Sequence, residues 1–188
     1  ERINFCVTEV DRLNHLVDLL LLLARFENQK QSLKIEKVYL NAIFLDTIAR
    51  NSTAIQSKNI TITTDFSRDY YIETDSYLFL IIVNNLISNA LKYSNQNGNL
   101  TVHIKSVASR IECHIIDSGI GIPADDLENI FNQFYRSQSN AHPEIKGTGL
   151  GLSIVKRLCS LLTIDIAITS EENIGTRVVL SLFEADLK

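Results

Sequence analysis

Apolar side chains at Ile3, Cys6, Val10, Leu13, Val17, Leu20 and Ala24 recur in alternating steps of three and four. That spacing predicts one long helix over residues 2–28, with the a/d seam of a coiled coil or helical bundle. Leu16, Leu19 and Leu23 widen the stripe beyond a two-helix seam, so this helix needs partner helices. No other segment has matching heptads, which puts the partner upstream in a longer parent chain or in a second copy. An ordinary core helix is the plainer alternative.

After a polar break at residues 27–32 the pattern becomes mixed. A second helix is predicted over residues 40–54 and a third over 76–92, with Asp75 as its N-cap. Alternating segments 60–65 and 70–74 read as strands, and 100–107 with 110–116 as an antiparallel hairpin. Pro123 opens a short helix expected to run through Phe134. Residues 137–146 are polar and aperiodic, a loop; 149–161 form a helix; 164–169 and 176–183 are closing strands. The expected fold class is α+β: a two-layer sandwich of largely antiparallel strands with helices on one face.

The 188 residues suit one domain with an appendage, at roughly 100–200 residues per domain. An apolar fraction of 45% supports a real core. Lys plus Arg total 18 against 22 Asp plus Glu, a net charge of −4, which argues against binding nucleic acid through many phosphates. The longest apolar runs, 19–24 and 77–83, fall far short of the ~20 residues of a membrane span. Direct membrane contact by this chain is therefore not expected. Cys6, Cys113 and Cys159 lie far apart in apolar stretches and read as reduced core thiols in a cytoplasmic setting. The chain contains no Met and begins at Glu1, so it is expected to be a segment of a longer protein.

Three polar constellations carry candidate chemistry. Asn85, Asn89 and Lys92 share one helical face. Amide oxygens suit a hard cation such as Mg2+, and Lys92 would meet phosphate as a point charge; a solvated helix face is the alternative. The turn Asp117-Ser118-Gly119-Ile120-Gly121-Ile122-Pro123 follows a strand, and its glycines would let a flat ligand approach the backbone. Its carboxylate could accept from an adenine amino group. A dinucleotide fingerprint is rejected there, because Asp117, Asp125 and Asp126 would repel a pyrophosphate and no βαβ unit follows. The third, Lys146-Gly147-Thr148-Gly149-Leu150-Gly151-Leu152, ends the polar loop and opens a helix, where free N–H groups bind phosphate. It is not a P-loop. His15, His103, His114 and His142 have no metal-ligand or triad context and read as satisfied or solvent-facing.

In this order and spacing the chain resembles the ATP-binding catalytic domain of sensor histidine kinases, a branch of the GHKL (Bergerat-fold) ATPase superfamily. Asn85 to Ser94 resembles the N box, Asp117 to Pro123 the first glycine box, Ile130 to Arg136 the F box and Gly147 to Lys156 the second glycine box. Gly175-Thr176 resembles the last Gly-Thr turn, and Asp75 stands ten residues before Asn85 as in the family. The His-Gly-Gly that often follows the second glycine-box helix is replaced by Leu162-Thr163-Ile164.

The resemblance implies ATP and Mg2+ as cofactors. Asp117 would receive the adenine amino group, Gly119 and Gly121 would admit the ring, Thr176 would support it and Tyr93 would pack on it. Asn89 with Asn85 would hold Mg2+; Lys92, Arg136 and Lys146 would face phosphate; Gly147, Thr148, Gly149, Leu150 and Gly151 would supply the lid hinge and backbone donors. Phe131 and Phe134 would anchor the base of the lid in the core.

Residues 1–33 resemble the second helix of a dimerisation and phosphotransfer domain, and 34–188 the catalytic domain. The phosphoacceptor His would lie on a missing preceding helix, so no catalytic residue is assigned in this chain. The implied partners are a second copy, through the N-terminal helix, and a response-regulator receiver domain. The implied activity is transfer of the ATP γ-phosphoryl to histidine and thence to an aspartate. A degenerate, non-catalytic nucleotide-binding or dimerisation module is the alternative. A hydrolytic ATPase of the superfamily would need a catalytic Glu on the N-box helix, and residues 76–93 contain neither Glu nor Asp.

Overall fold

The computed structural model describes residues 32–137 and 148–185. The chain divides into two compact units, Glu1–Lys34 and Ile35–Lys188, and the elements below belong to the second. The helix expected over residues 2–28 lies outside the described residues.

In chain order the elements are β1 (Ile35–Tyr39), α1 (Leu40–Arg50), α2 (Ser52–Lys58), β2 (Thr61–Phe66), β3 (Tyr71–Asp75), α3 (Ser76–Tyr93), β4 (Asn99–Val107), β5 (Arg110–Asp117), α4 (Ala124–Leu127), α5 (Gly151–Leu161), β6 (Asp165–Glu171) and β7 (Gly175–Phe183). The main sheet has the order β2-β4-β5-β7-β6, and β1 pairs with β3 in a separate ribbon. Every pairing is antiparallel except β2 with β4, which is parallel.

Period-two alternation gives the sheet an apolar face. Leu100, Val102 and Ile104 on β4, Ile111, Cys113 and Ile115 on β5, and Val178, Leu180 and Leu182 on β7 are all buried. Helices cover this face, as expected of a two-layer α+β fold. The central one, α3, buries Leu78, Phe79, Ile81, Ile82, Val83, Leu86, Ile87, Ala90 and Leu91, leaving only a narrow polar stripe. Its N-terminus is capped as the sequence predicts: Leu78 N–H donates to Asp75 Oδ1 at 3.1 Å. Asp75→Ala is expected to cost about 1 kcal/mol in denaturant unfolding with the slope unchanged.

Three expectations are corrected. The helix predicted over residues 40–54 is two helices, broken at Asn51, whose side chain donates to the Thr47 carbonyl (2.9 Å). Such local side-chain bonding competes with helix propagation. The helix expected from Pro123 through Phe134 stops at Leu127. Beyond it N–H groups reach back three residues, Asn129 to Asp126, Asn132 to Asn129 and Tyr135 to Asn132, and Phe134 takes a positive φ of 62°. That is a chain of tight turns, because i+3 bonding and a left-handed residue both exclude α geometry. Finally, β1 was not expected; only Val38 of its five residues is buried, so it carries no alternation to read.

Candidate functional site

The polar stripe of α3 faces the start of α5. Asn85 and Asn89 are half-buried, and Asn85 Nδ2 donates to the Ile81 carbonyl at 2.9 Å, which fixes the amide. A Cβ on Gly151 would lie 3.0 Å from Asn85 Oδ1 and 3.9 Å from Asn89 Nδ2. The absent side chain thus leaves the amide pair lying against the first turn of α5. No side chain caps that turn, and a helix start has N–H groups without intrahelical partners. The Asn85 amide oxygen and main-chain donors therefore meet at one place, beside the Asn89 amide, which suits a metal-bound polyphosphate. One turn further along α3, the Lys92 ammonium lies 4.8 Å from the Tyr93 ring centroid.

The C-terminus of the same helix touches the loop after β5. Ile120 N–H donates to the Tyr93 carbonyl at 3.1 Å. Asp117, at the end of β5, is 9% exposed; its Oδ1 accepts from the N–H groups of Gly119 (2.9 Å) and Thr176 (3.3 Å). Its Oδ2 accepts no hydrogen bond from the described residues. Burial pushes the Asp117 carboxyl above the usual carboxylate range, and the two N–H donors oppose that rise. The result is a fixed, desolvated carboxylate with one oxygen left for a donor.

The glycines of this loop have a packing reason of their own. A Cβ on Gly119 would fall 2.4 Å from the Tyr93 carbonyl oxygen. One on Gly121, where φ is +67°, would fall 2.0 Å from the Glu171 carbonyl oxygen. Both side-chain directions are blocked by main chain, so these glycines let the loop that carries Asp117 pack closely. Thr176 Oγ1 hydrogen-bonds Ser170 Oγ at 2.8 Å. Ser170 is a site residue that the sequence reading missed. Its hydroxyl donates to the Gly175 carbonyl (2.7 Å) and accepts from Ile122 N–H (2.9 Å), joining the β6–β7 turn to the Asp117 loop. Only the register that sets Ser170 opposite Thr176 reveals it.

The flanks of the segment 138–147 also meet: Phe134 N–H donates to the Gly149 carbonyl at 3.0 Å. Gly149 has φ +72°, and a Cβ there would fall 2.6 Å from the Phe134 carbonyl carbon. Phe134 itself is 68% exposed, which corrects its assignment to the core. Phe131 is half-buried, with the Lys156 ammonium 4.9 Å from its ring. Arg136 is exposed, Thr148 is half-buried and Leu150 is buried; Lys146 and Gly147 lie outside the described residues.

The two described histidines are paired within the fold. His114 is buried between Glu112 (2.9 Å) and the Arg177 guanidinium (3.0 Å), and His103 pairs with Asp65 (2.9 Å). No metal-binding group of three His, Cys, Asp or Glu occurs among the described residues. Burial pushes the Cys159 thiol up to about 12 and the Cys113 thiol higher, so both behave as core atoms. No described helix is long and apolar enough to cross a membrane.

Comparison with known proteins agrees with this geometry. Residues 74–186 match the family described as histidine kinase-, DNA gyrase B-, and HSP90-like ATPase. The sensor-like histidine kinase SenX3 of Mycolicibacterium smegmatis is 30% identical over 178 residues, 95% of this chain and 46% of that protein. The chain spans about half the length, or less, of such curated relatives. Full-length ShkA, solved in complex with AMPPNP, superposes with a TM-score of 0.79 at 24% identity, over 93% of this chain and 36% of that one. Histidine kinase ThkA, solved in complex with the response regulator protein TrrA, gives 0.75 at 22% identity, over 97% and 50%. With its five-stranded sheet covered by helices on one face, the chain belongs to the histidine kinase-, DNA gyrase B- and HSP90-like ATPase family and has the fold of a histidine kinase catalytic domain.

Proposed function

We propose that this chain is the ATP-binding catalytic part of a two-component sensor histidine kinase. The observation that carries the reading is the double role of α3. Asn85 and Asn89 lie against the start of α5, and the Tyr93 carbonyl holds the turn that fixes Asp117. One helix therefore ties the amide pair and bare helix start suited to phosphate to the buried carboxylate suited to an amino group. SenX3 is a sensor-like histidine kinase, ShkA was solved with an ATP analogue and ThkA with a response regulator, which supports the same reading.

In this reading Asp117 Oδ2 accepts from the adenine amino group and Thr176 supports that end, with Tyr93 beside the base. Asn89, with Asn85, holds Mg2+, which when bound neutralises phosphate charge. The first turn of α5 and the backbone at residues 147–151 donate to phosphate, and Lys92, Arg136 and Lys146 add positive charge. The acceptor imidazole brings its own lone pair, so the domain positions and neutralises rather than supplying a strong base. Residues 34–188 form the nucleotide-binding part. Residues 1–33 contribute a dimerisation helix in a cytoplasmic bundle whose other helix carries the acceptor histidine, and a receiver-domain aspartate takes the phosphoryl next. With Asn89 and Asp117 both in place, the degenerate-module alternative is not favoured.

Calorimetric titration with a non-hydrolysable ATP analogue and Mg2+ tests the reading. The expected result is a Kd in the micromolar range, about −8 kcal/mol. Excess chelator is expected to weaken it about tenfold, or 1.4 kcal/mol. Asn89→Ala should show a similar loss with Mg2+ present and little further loss on chelation. Equal affinity with and without Mg2+ in the wild-type chain would contradict the metal role. Adding the upstream helix pair in trans should then yield acid-labile phosphohistidine; acid-stable label would point to a different kinase chemistry.

A further inference from the structure

Lys58, in the last turn of α2, donates from Nζ to three main-chain carbonyls at the end of α3. These are Leu91 (3.0 Å), Lys92 (2.6 Å) and Ser94 (2.8 Å). The neighbouring carbonyls are occupied otherwise. Ala90 accepts from the Ser94 N–H (3.0 Å) and hydroxyl (2.7 Å), and Tyr93 accepts from Ile120 N–H (3.1 Å). A helix end leaves its last carbonyls without intrahelical donors. Here one ammonium uses all three of its protons on them, and its charge complements the negative end of the helix dipole.

The lysine is itself held in place. Its carbonyl accepts from Asn97 N–H at 2.8 Å, and Asn59 after it adopts the left-handed conformation that ends α2. Its three acceptors flank Tyr93 on both sides, and the Gly119–Ile120 turn packs directly on the Tyr93 carbonyl. Partial burial holds the Lys58 ammonium below its ordinary range.

We infer that Lys58 is a positioning residue of the nucleotide site. It fixes the carbonyls on either side of Tyr93, and through the Tyr93 carbonyl the turn that presents Asp117. The inference rests on the nucleotide-site reading above. Lys58 acts through the end of α3 and has no direct part in binding.

The test uses the full chain with three variants. Lys58→Met keeps the aliphatic stem and removes the donors, Lys58→Arg keeps charge and donors, and Leu182→Ala is a core truncation at the far end of β7. Two quantities are read under conditions where circular dichroism shows each chain folded: hydrogen exchange of the Ile120 amide, and affinity for the ATP analogue with Mg2+. Lys58→Met is expected to speed Ile120 exchange at least about tenfold and weaken binding about tenfold. Lys58→Arg should recover most of both. Leu182→Ala should lower the melting temperature while leaving both within about threefold of wild type.

Wild-type exchange and affinity in Lys58→Met would overturn the inference. So would losses of the same size in Leu182→Ala, which would mark the effect as general destabilisation. If the wild-type chain binds no analogue, the site reading falls and the lysine's role in it falls too. Faster Ile120 exchange in that case would show only that the lysine holds a turn.

Discussion

Asp117→Asn is expected to leave the fold as stable as wild type, or slightly more so, while weakening nucleotide binding about a hundredfold, near 2.8 kcal/mol. The two effects separate because the two carboxylate oxygens do different work. Oδ1 accepts from Gly119 and Thr176, and an amide oxygen can take over both bonds. The amide nitrogen then occupies the position of Oδ2 and turns a donor toward an amino group that is itself a donor. A charge-assisted bond worth about 1.5–3 kcal/mol is replaced by a donor–donor contact. Calorimetric titration and thermal melting of both chains check this. A variant that binds normally, or one that loses binding only because it unfolds, would remove Asp117 from the proposed adenine site.

The same residue gives a pH signature. Burial raises the Asp117 pKa in the folded chain above its unfolded value. Between those two values the folded chain keeps a proton that the unfolded chain has released. The stabilisation from this proton is full below the unfolded pKa and is lost as pH rises through the folded one. Melting curves across that window should show the wild type losing stability relative to Asp117→Asn as pH rises. Nucleotide affinity should move the other way, falling as pH drops through the raised value and the acceptor becomes protonated.

Gly175→Ala is expected to be strongly destabilising, costing about 3 kcal/mol or more. Gly175 has φ +145°, and a Cβ there would fall 2.0 Å from the Asp117 carbonyl oxygen, with Ser118 Cα 3.0 Å away. The obstacle is backbone on a paired strand, which cannot rotate aside as a side chain can. At roughly 2–4 °C per kcal/mol for a chain of this size, the melting temperature should fall by about 10 °C. Nucleotide binding should be lost even where the chain remains folded, because the clash falls on the main chain of Asp117, whose Oδ1 accepts from the N–H of Thr176, the residue after Gly175. Gly151→Ala is the control: its Cβ would meet the Asn85 side chain at 3.0 Å, which can yield by a few tenths of an ångström. Comparable melting points for Gly175→Ala and wild type would show that the turn tolerates a side chain.

Much of the fold is legible because it is written locally. The Asp75 cap, the long apolar helix after it, and the β4–β5 hairpin depend on residues a few positions apart, and each lies where its pattern predicts. The break at Asn51 is local as well, but it depends on a rotamer choice that composition does not reveal. The ribbon strand β1 has almost no pattern, because its stability comes from pairing with β3, more than thirty residues away. Phe134 misleads because the family resemblance implies a core anchor there, whereas the residue has a positive φ in a tight turn and is exposed.

The candidate chemistry is legible in the chain alone: paired amides on one helical face, a carboxylate at a strand end, and a glycine-rich helix start. These are properties of residue type and spacing, and helix and strand periods are fixed by backbone geometry. How the groups are held is a matter of three-dimensional packing. It set Ser170 opposite Thr176, closed Gly119 and Gly121 against main chain, and brought Lys58 across more than thirty residues to three carbonyls. Those contacts follow from strand register and helix packing, which many distant residues settle jointly, so no short stretch of sequence contains them.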